Sequence, residues 1–255
     1  MRILVLVVVL TLAAGFAAAA TGSKEDTHIL PAYTYQPVND PMQAVSQALS
    51  KAKETNKRLL VVLGATWCHD SMGLAKRFSM ETLHPIIQQH YETVFVDVGF
   101  LNDRRDITQR FGYATYFATP TVLIVEPQEE KLINFDTVKK WGFADSVDLQ
   151  EYIEYFSGFT TTEHQHPLVQ PDAAVLAFAN REAARLQNAY DLLGPLLQED
   201  EQGIQNEDFM PLWQEVRRFR FSLQNDIVDL AKEPTDEKQH VFPEYGPFSW
   251  ESIEK

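Results

Sequence analysis

The chain has 255 residues, 22 Lys+Arg against 36 Asp+Glu, a formal net charge of −14 and a single cysteine. That length suits one substantial domain with an appendage and buries a core without staples. The acid excess repels nucleic acid and anionic lipid, so neither is expected as a partner, and a lone Cys68 excludes any disulfide within the chain.

The first 20 residues stand apart from the fold. Met1-Arg2 supplies a positive start, residues 3–12 are almost purely aliphatic, and residues 17–20 offer small-residue cleavage sites. The expectation is a signal peptide over 1–20, cleaved after Ala20, and hence a periplasmic or secreted protein. An uncleaved anchor is the competing reading, because the stretch is just long enough to span a bilayer. No later segment approaches that length, so no membrane contact is expected once the segment is removed.

A polar lead over 21–39 precedes Asp40-Pro41, a side-chain cap followed by proline at the first helical position. Met42, Val45 and Ala48 recur at helical spacing after it. Residues 59–63 (LLVVL) read as a strand covered on both faces. Cys68 to Met80 is helical in pattern, and a short helical turn follows at His84-Pro85. Residues 93–98 are β-branched-rich and predict a second strand, and 106–111 a short helix ended by Gly112. Residues 121–125 and 131–135 predict two more strands, and 146–156 an amphipathic helix. The sum is a three-layer α/β domain over 40–158.

A Thr-, His- and Pro-containing segment over 159–172 reads as a linker. A helical extension over 173–232 follows, its first helix expected to stop at Gly194-Pro195 and its second striped by Phe209, Leu212, Val216, Phe219, Leu223, Ile227 and Leu230. The tail, 233–255, carries Phe242, Tyr245, Phe248 and Trp250, too many aromatics to read as disordered.

Chemistry concentrates at Trp67-Cys68-His69-Asp70-Ser71, between the first strand and the helix after it. A sulfur placed there sits at a helix N-terminus, where backbone N–H groups and the helix dipole favour the thiolate. Strand, Ala65-Thr66-Trp67-Cys68-x-x-Ser71, helix, strand, helix, then Ala118-Thr119-Pro120-Thr121 opening a strand, resembles the thioredoxin-like superfamily. The resemblance implies a thioredoxin-like fold, a central mixed sheet flanked by helices, here with a C-terminal helical hairpin added. It further implies that Cys68 is the nucleophilic thiol, that Ser71 holds the resolving-cysteine position and can hydrogen-bond a Cys68 thiolate, and that Pro120 is cis. Trp67, His69, Asp70, Thr119 and Pro120 would then contact substrate.

Two departures narrow this. Ser71 cannot resolve a mixed disulfide, and Val62 stands where many thioredoxins hold a buried acid. The expected function is therefore monothiol exchange, or capture of a client protein or glutathione through a mixed disulfide. The alternative is a binding or scaffold module on the same fold, with Cys68 a vestigial small hydrophobe. Ser71 as an ordinary helix-surface residue, and His69 and Asp70 as exposed first-turn residues, are the bland alternatives at those positions. His164 and His166 lack a third ligand nearby, so no metal site is expected, and no cofactor.

Overall fold

The structure, a computed structural model, describes residues 33–160, 168–233 and 240–252. The expected signal segment, most of the lead, and His164 and His166 lie outside the described residues.

Helix α1 (Pro41–Thr55) starts as the sequence dictates. The Asp40 carboxylate accepts from the Gln43 N–H at 2.8 Å, and the helix leaves through Asn56 in the left-handed region, φ 54°. Strand β1 (Arg58–Gly64) is buried throughout and occupies the interior of a sheet ordered β2-β1-β3-β4. Its neighbours are β2 (Tyr91–Asp97), parallel to it, and β3 (Thr121–Glu126), antiparallel. In that register Leu63 lies opposite Thr121. The end of β1, which feeds Cys68, therefore lies beside the start of β3, which follows Pro120.

Strand β4 (Lys131–Leu132) is shorter than its apolar run predicts. Asn134 is the reason. Its side-chain amide accepts from the Ile124 N–H at 2.8 Å and donates to the Val122 carbonyl at 2.9 Å, so a side chain replaces the backbone ladder. The chain then turns into a 3₁₀ segment (Phe135–Ser146) and α5 (Leu149–Gly158), which begins slightly later than its apolar pattern suggests.

The alternation of β1 builds two cores. Leu60 and Val62 pack with residues of α2 (His69–Phe78), α3 (His84–His90) and α5, where the Phe156 ring lies 5.0 Å from Phe78 and 5.1 Å from Trp141. Leu59, Val61 and Leu63 pack on the other face with α1, with Ile107 of α4 (Arg105–Arg110) and with the C-terminal helices. Helices α6 (Ala173–Glu201) and α7 (Phe209–Lys232) thus belong to the same core as the sheet, through Phe178, Tyr190 and Leu223. Two polar contacts fix them: the Tyr190 hydroxyl donates to the Tyr116 carbonyl at 3.2 Å, and the Gln224 amide to the Tyr113 hydroxyl at 2.7 Å.

Helix α6 runs through Gly194-Pro195 instead of stopping there. Proline inside a helix costs about 3 kcal/mol in isolation. The buried stripe Leu186, Tyr190, Leu193 and Leu197 continues across it, so burial on both sides offsets the break. Gly194 meets a second demand. A methyl group there would overlap the Phe100 carbonyl, so only glycine lets α6 lie directly on the loop after β2.

The tail is packed where described. Phe242 stacks on Phe178 at 4.9 Å, Phe248 lies 4.4 Å from Phe219, and Trp250 is buried. His240 Nε2 contacts the carboxylate of Asp172, the cap of α6, at 2.7 Å. That contact raises the His240 pKa, while the Asp172 pKa is lowered by the Val175 N–H and by His240. No helix among the described residues is long and apolar enough to cross a membrane.

Candidate functional site

Cys68 is the cap residue of α2, with extended backbone (φ −91°, ψ 118°) and no side-chain capping bond. It therefore adjoins the unpaired N–H groups of the helix's first turn. Its sulfur is half-buried and lies 3.1 Å from the Thr119 carbonyl, to which the thiol donates. The Thr119–Pro120 peptide bond is cis. The two motifs, 51 residues apart at these positions, thus meet at one sulfur.

The residues around Cys68 divide by what holds them. Trp67 donates its indole N–H to the Gly99 carbonyl at 2.7 Å, pinning the ring to the loop after β2. His69 is 80 % exposed, with Nε2 3.3 Å from the Asp70 carboxylate. Asp70 is not the exposed first-turn residue that its position suggests. Its carboxylate is only 13 % exposed and accepts from the Asp145 N–H at 2.9 Å, because the 3₁₀ segment packs against α2.

Ser71 is fully buried, which removes its reading as a surface residue. Its Oγ accepts from the Ala65 N–H at 3.4 Å, and its carbonyl accepts from the Tyr35 hydroxyl at 3.3 Å. A side chain on Gly64 would come within 2.6 Å of Ser71 Oγ, so the hydroxyl sits against a backbone that only glycine leaves open. The thiol form of Cys68 donates to the Thr119 carbonyl. Burial raises the Tyr35 pKa well above the usual phenol range, so that hydroxyl stays protonated. Val62 lies in an apolar core with no exposure.

The sulfur opens onto a cleft of about 550 Å³. One side is the motif itself with Thr119, and another is Phe143 of the 3₁₀ segment, 50 % exposed. The rest comes from the C-terminal helices, including Trp213, Arg217, Arg220 and Phe221. Phe143 and Phe221 stack at 5.5 Å with an interplanar angle of 11°. The Arg220 guanidinium lies 5.4 Å from both the Trp213 and Phe221 ring centroids. This wall is the part that motif reading misses. Arg220 does carry a signal, since it falls on the inward stripe four residues after Val216 and three before Leu223. Among the described residues no group of three or more His, Cys, Asp or Glu side chains is placed to hold a metal ion.

A family model described as thioredoxin-like matches residues 40–127. A crystal structure of a disulphide isomerase from Xylella fastidiosa Temecula1 is similar at 27 % identity, over 52 % of this chain and 98 % of that one, with a TM-score of 0.46. No curated protein matches the chain. The matched span holds the first three strands and both motifs, so over it the chain is similar to thioredoxin-like proteins and has a thioredoxin-like fold.

Proposed function

We propose that this chain is a monothiol exchange protein that captures a disulfide-bearing client, polypeptide or glutathione, on Cys68. The observation that carries the reading is the placement of one half-buried sulfur at the cap of α2, 3.1 Å from the Thr119 carbonyl and open to the cleft. The thiol gives its proton to solvent through that opening. The thiolate then attacks one sulfur of the client disulfide in line with the S–S bond. A Cys68–sulfur bond forms, the client S–S bond breaks, and the departing thiolate takes up a proton. Cys68 is oxidised and the departing sulfur is reduced, so no outside oxidant is required.

Trp67, His69, Thr119 and Pro120 border the reacting sulfur in this reading. Thr119 has a further role, since its carbonyl, released when the thiol ionises, is free to accept from a client N–H. Asp70 acts by holding the 3₁₀ segment against the site. With Ser71 in place of a second thiol, release needs an external thiol that attacks the mixed disulfide and regenerates Cys68. Export, with cleavage after Ala20, suits this chemistry, because client disulfides persist in oxidising compartments.

The test is titration of the folded protein with a chromogenic aromatic disulfide. The expected result is one equivalent of thiol reacting, at a rate within about tenfold of the unfolded chain. Reaction only after denaturant is added would favour the scaffold reading with an inert Cys68.

A further inference from the structure

We infer that Arg220, with Arg217 beside it, recognises an anion in this cleft and selects disulfides that carry a carboxylate close to the sulfur that Cys68 attacks. The inference rests on the reading of Cys68 as the attacking thiol.

Arg220 is unusual in its surroundings. It is 9 % exposed, and its Nε–H has no hydrogen-bond partner. Among the described residues neither Arg220 nor Arg217 makes an ion pair. The guanidinium is held on the rings of Trp213 and Phe221 and stands beside the Tyr190 hydroxyl. Stacking fixes the plane of the group without using its N–H donors. A buried guanidinium short of an acceptor gains more from a carboxylate than an exposed one does, because its desolvation cost is already met in the fold.

The same cleft carries Asp70, whose carboxylate is already held by the Asp145 N–H and His69, and Asp200 and Glu201 at the end of α6. Asp200 and Glu201 are exposed, so water and salt screen them, and none of the three pairs with Arg220 among the described residues. The buried cation therefore dominates what the inner cleft asks of a ligand. Planar bidentate recognition makes a carboxylate the natural match for a guanidinium. The exchange step keeps the balance given above; the arginine contributes affinity and orientation only. Two sources supply this chemistry, the free tripeptide disulfide and an acidic residue flanking a cystine in a polypeptide.

The experiment compares second-order rates of mixed-disulfide formation for two pairs. One pair is a cystine-linked peptide with Glu or with Gln next to the half-cystine; the other is glutathione disulfide and its fully esterified form. Wild type is expected to favour the carboxylate member of at least one pair by about tenfold or more. Arg220→Gln is expected to bring that ratio to parity, and the pair that responds names the source. No preference in wild type, or the same preference in Arg220→Gln, would overturn the inference.

If Cys68 reacts with none of the four, the thiol reading fails and the anion claim is decided separately. Calorimetric titration with the Glu peptide carrying S-methylated cysteine then supports it if wild type binds and Arg220→Gln does not. Equal binding, or none, overturns it. Should circular dichroism show Arg220→Gln unfolded, the wild-type preference is followed against salt. A preference that survives a rise in salt supports recognition by the buried cation, and one that collapses assigns it to exposed charge and rejects the claim.

Discussion

A Ser71→Cys variant is expected to lose, by about tenfold or more, the mixed disulfide that the wild-type chain accumulates. The cap residue of a helix and the residue three positions on are mutual neighbours, as reciprocal capping bonds between those positions demonstrate. A thiol at position 71 would therefore lie beside the Cys68 sulfur and attack any adduct formed there. Attack from within the chain proceeds at a high effective concentration and competes with any thiol in solution. The position is fully buried, so this thiol would be reached through Cys68 and not directly by client. The measurement is intact mass after acid quenching: client released and an internal disulfide in Ser71→Cys, against a retained adduct in wild type. An adduct as long-lived in the variant as in wild type would show that the two side chains do not meet.

Gly194→Ala is expected to destabilise the fold by about 1–3 kcal/mol and to disturb the cleft at the same time. The added methyl group meets the Phe100 carbonyl, which belongs to backbone and cannot rotate away as a side chain would. Gly194 lies between Leu193 and Leu197, both buried on the core face of α6, so relief requires the helix to lift. Leu197 also lines the cleft, and the Trp67 indole is pinned one residue before Phe100, at Gly99. Strain at Gly194 thus reaches the site from two sides. Thermal unfolding together with Trp fluorescence checks this. A variant with unchanged midpoint and spectrum would mean that α6 has room to shift.

These two predictions differ in how far the sequence alone foresees them. Cys68, Ser71, Thr119 and Pro120 are legible because each lies in a short motif whose order along the chain matches strand and helix patterns. The β1 run is legible for a similar reason: a fully apolar stretch has few places in an α/β domain other than the interior of the sheet. The end of β4 is not, because an asparagine side chain completes the ladder and leaves no periodic trace. Helix α6 passes Pro195 because long-range burial outweighs a local breaker, which single-sequence propensity cannot weigh. The burial of Asp70 and Ser71 depends on packing by the 3₁₀ segment and by Tyr35, both remote in sequence.

The largest gap concerns the C-terminal hairpin. Its apolar stripe predicts that the helices pack, and they do, but not that they border the sulfur. That follows only from where the sheet's α1 face leaves space. Arg220 shows the difficulty in one residue, since a charge among apolar neighbours reads as an interruption until Trp213, Phe221 and Tyr190 are seen around it. The hairpin supplies a wall of the cleft that Cys68 lines, and this distinguishes the site from its motif.

The central claim is that the folded chain takes a disulfide onto Cys68 and keeps it. Intact-mass analysis after incubation with glutathione disulfide and with a cystine peptide tests it most directly. The account predicts a one-to-one adduct on the folded wild type that persists until an external thiol is added, and none on Cys68→Ala. A folded wild-type chain that forms no adduct, while the same chain forms one in denaturant, would contradict it.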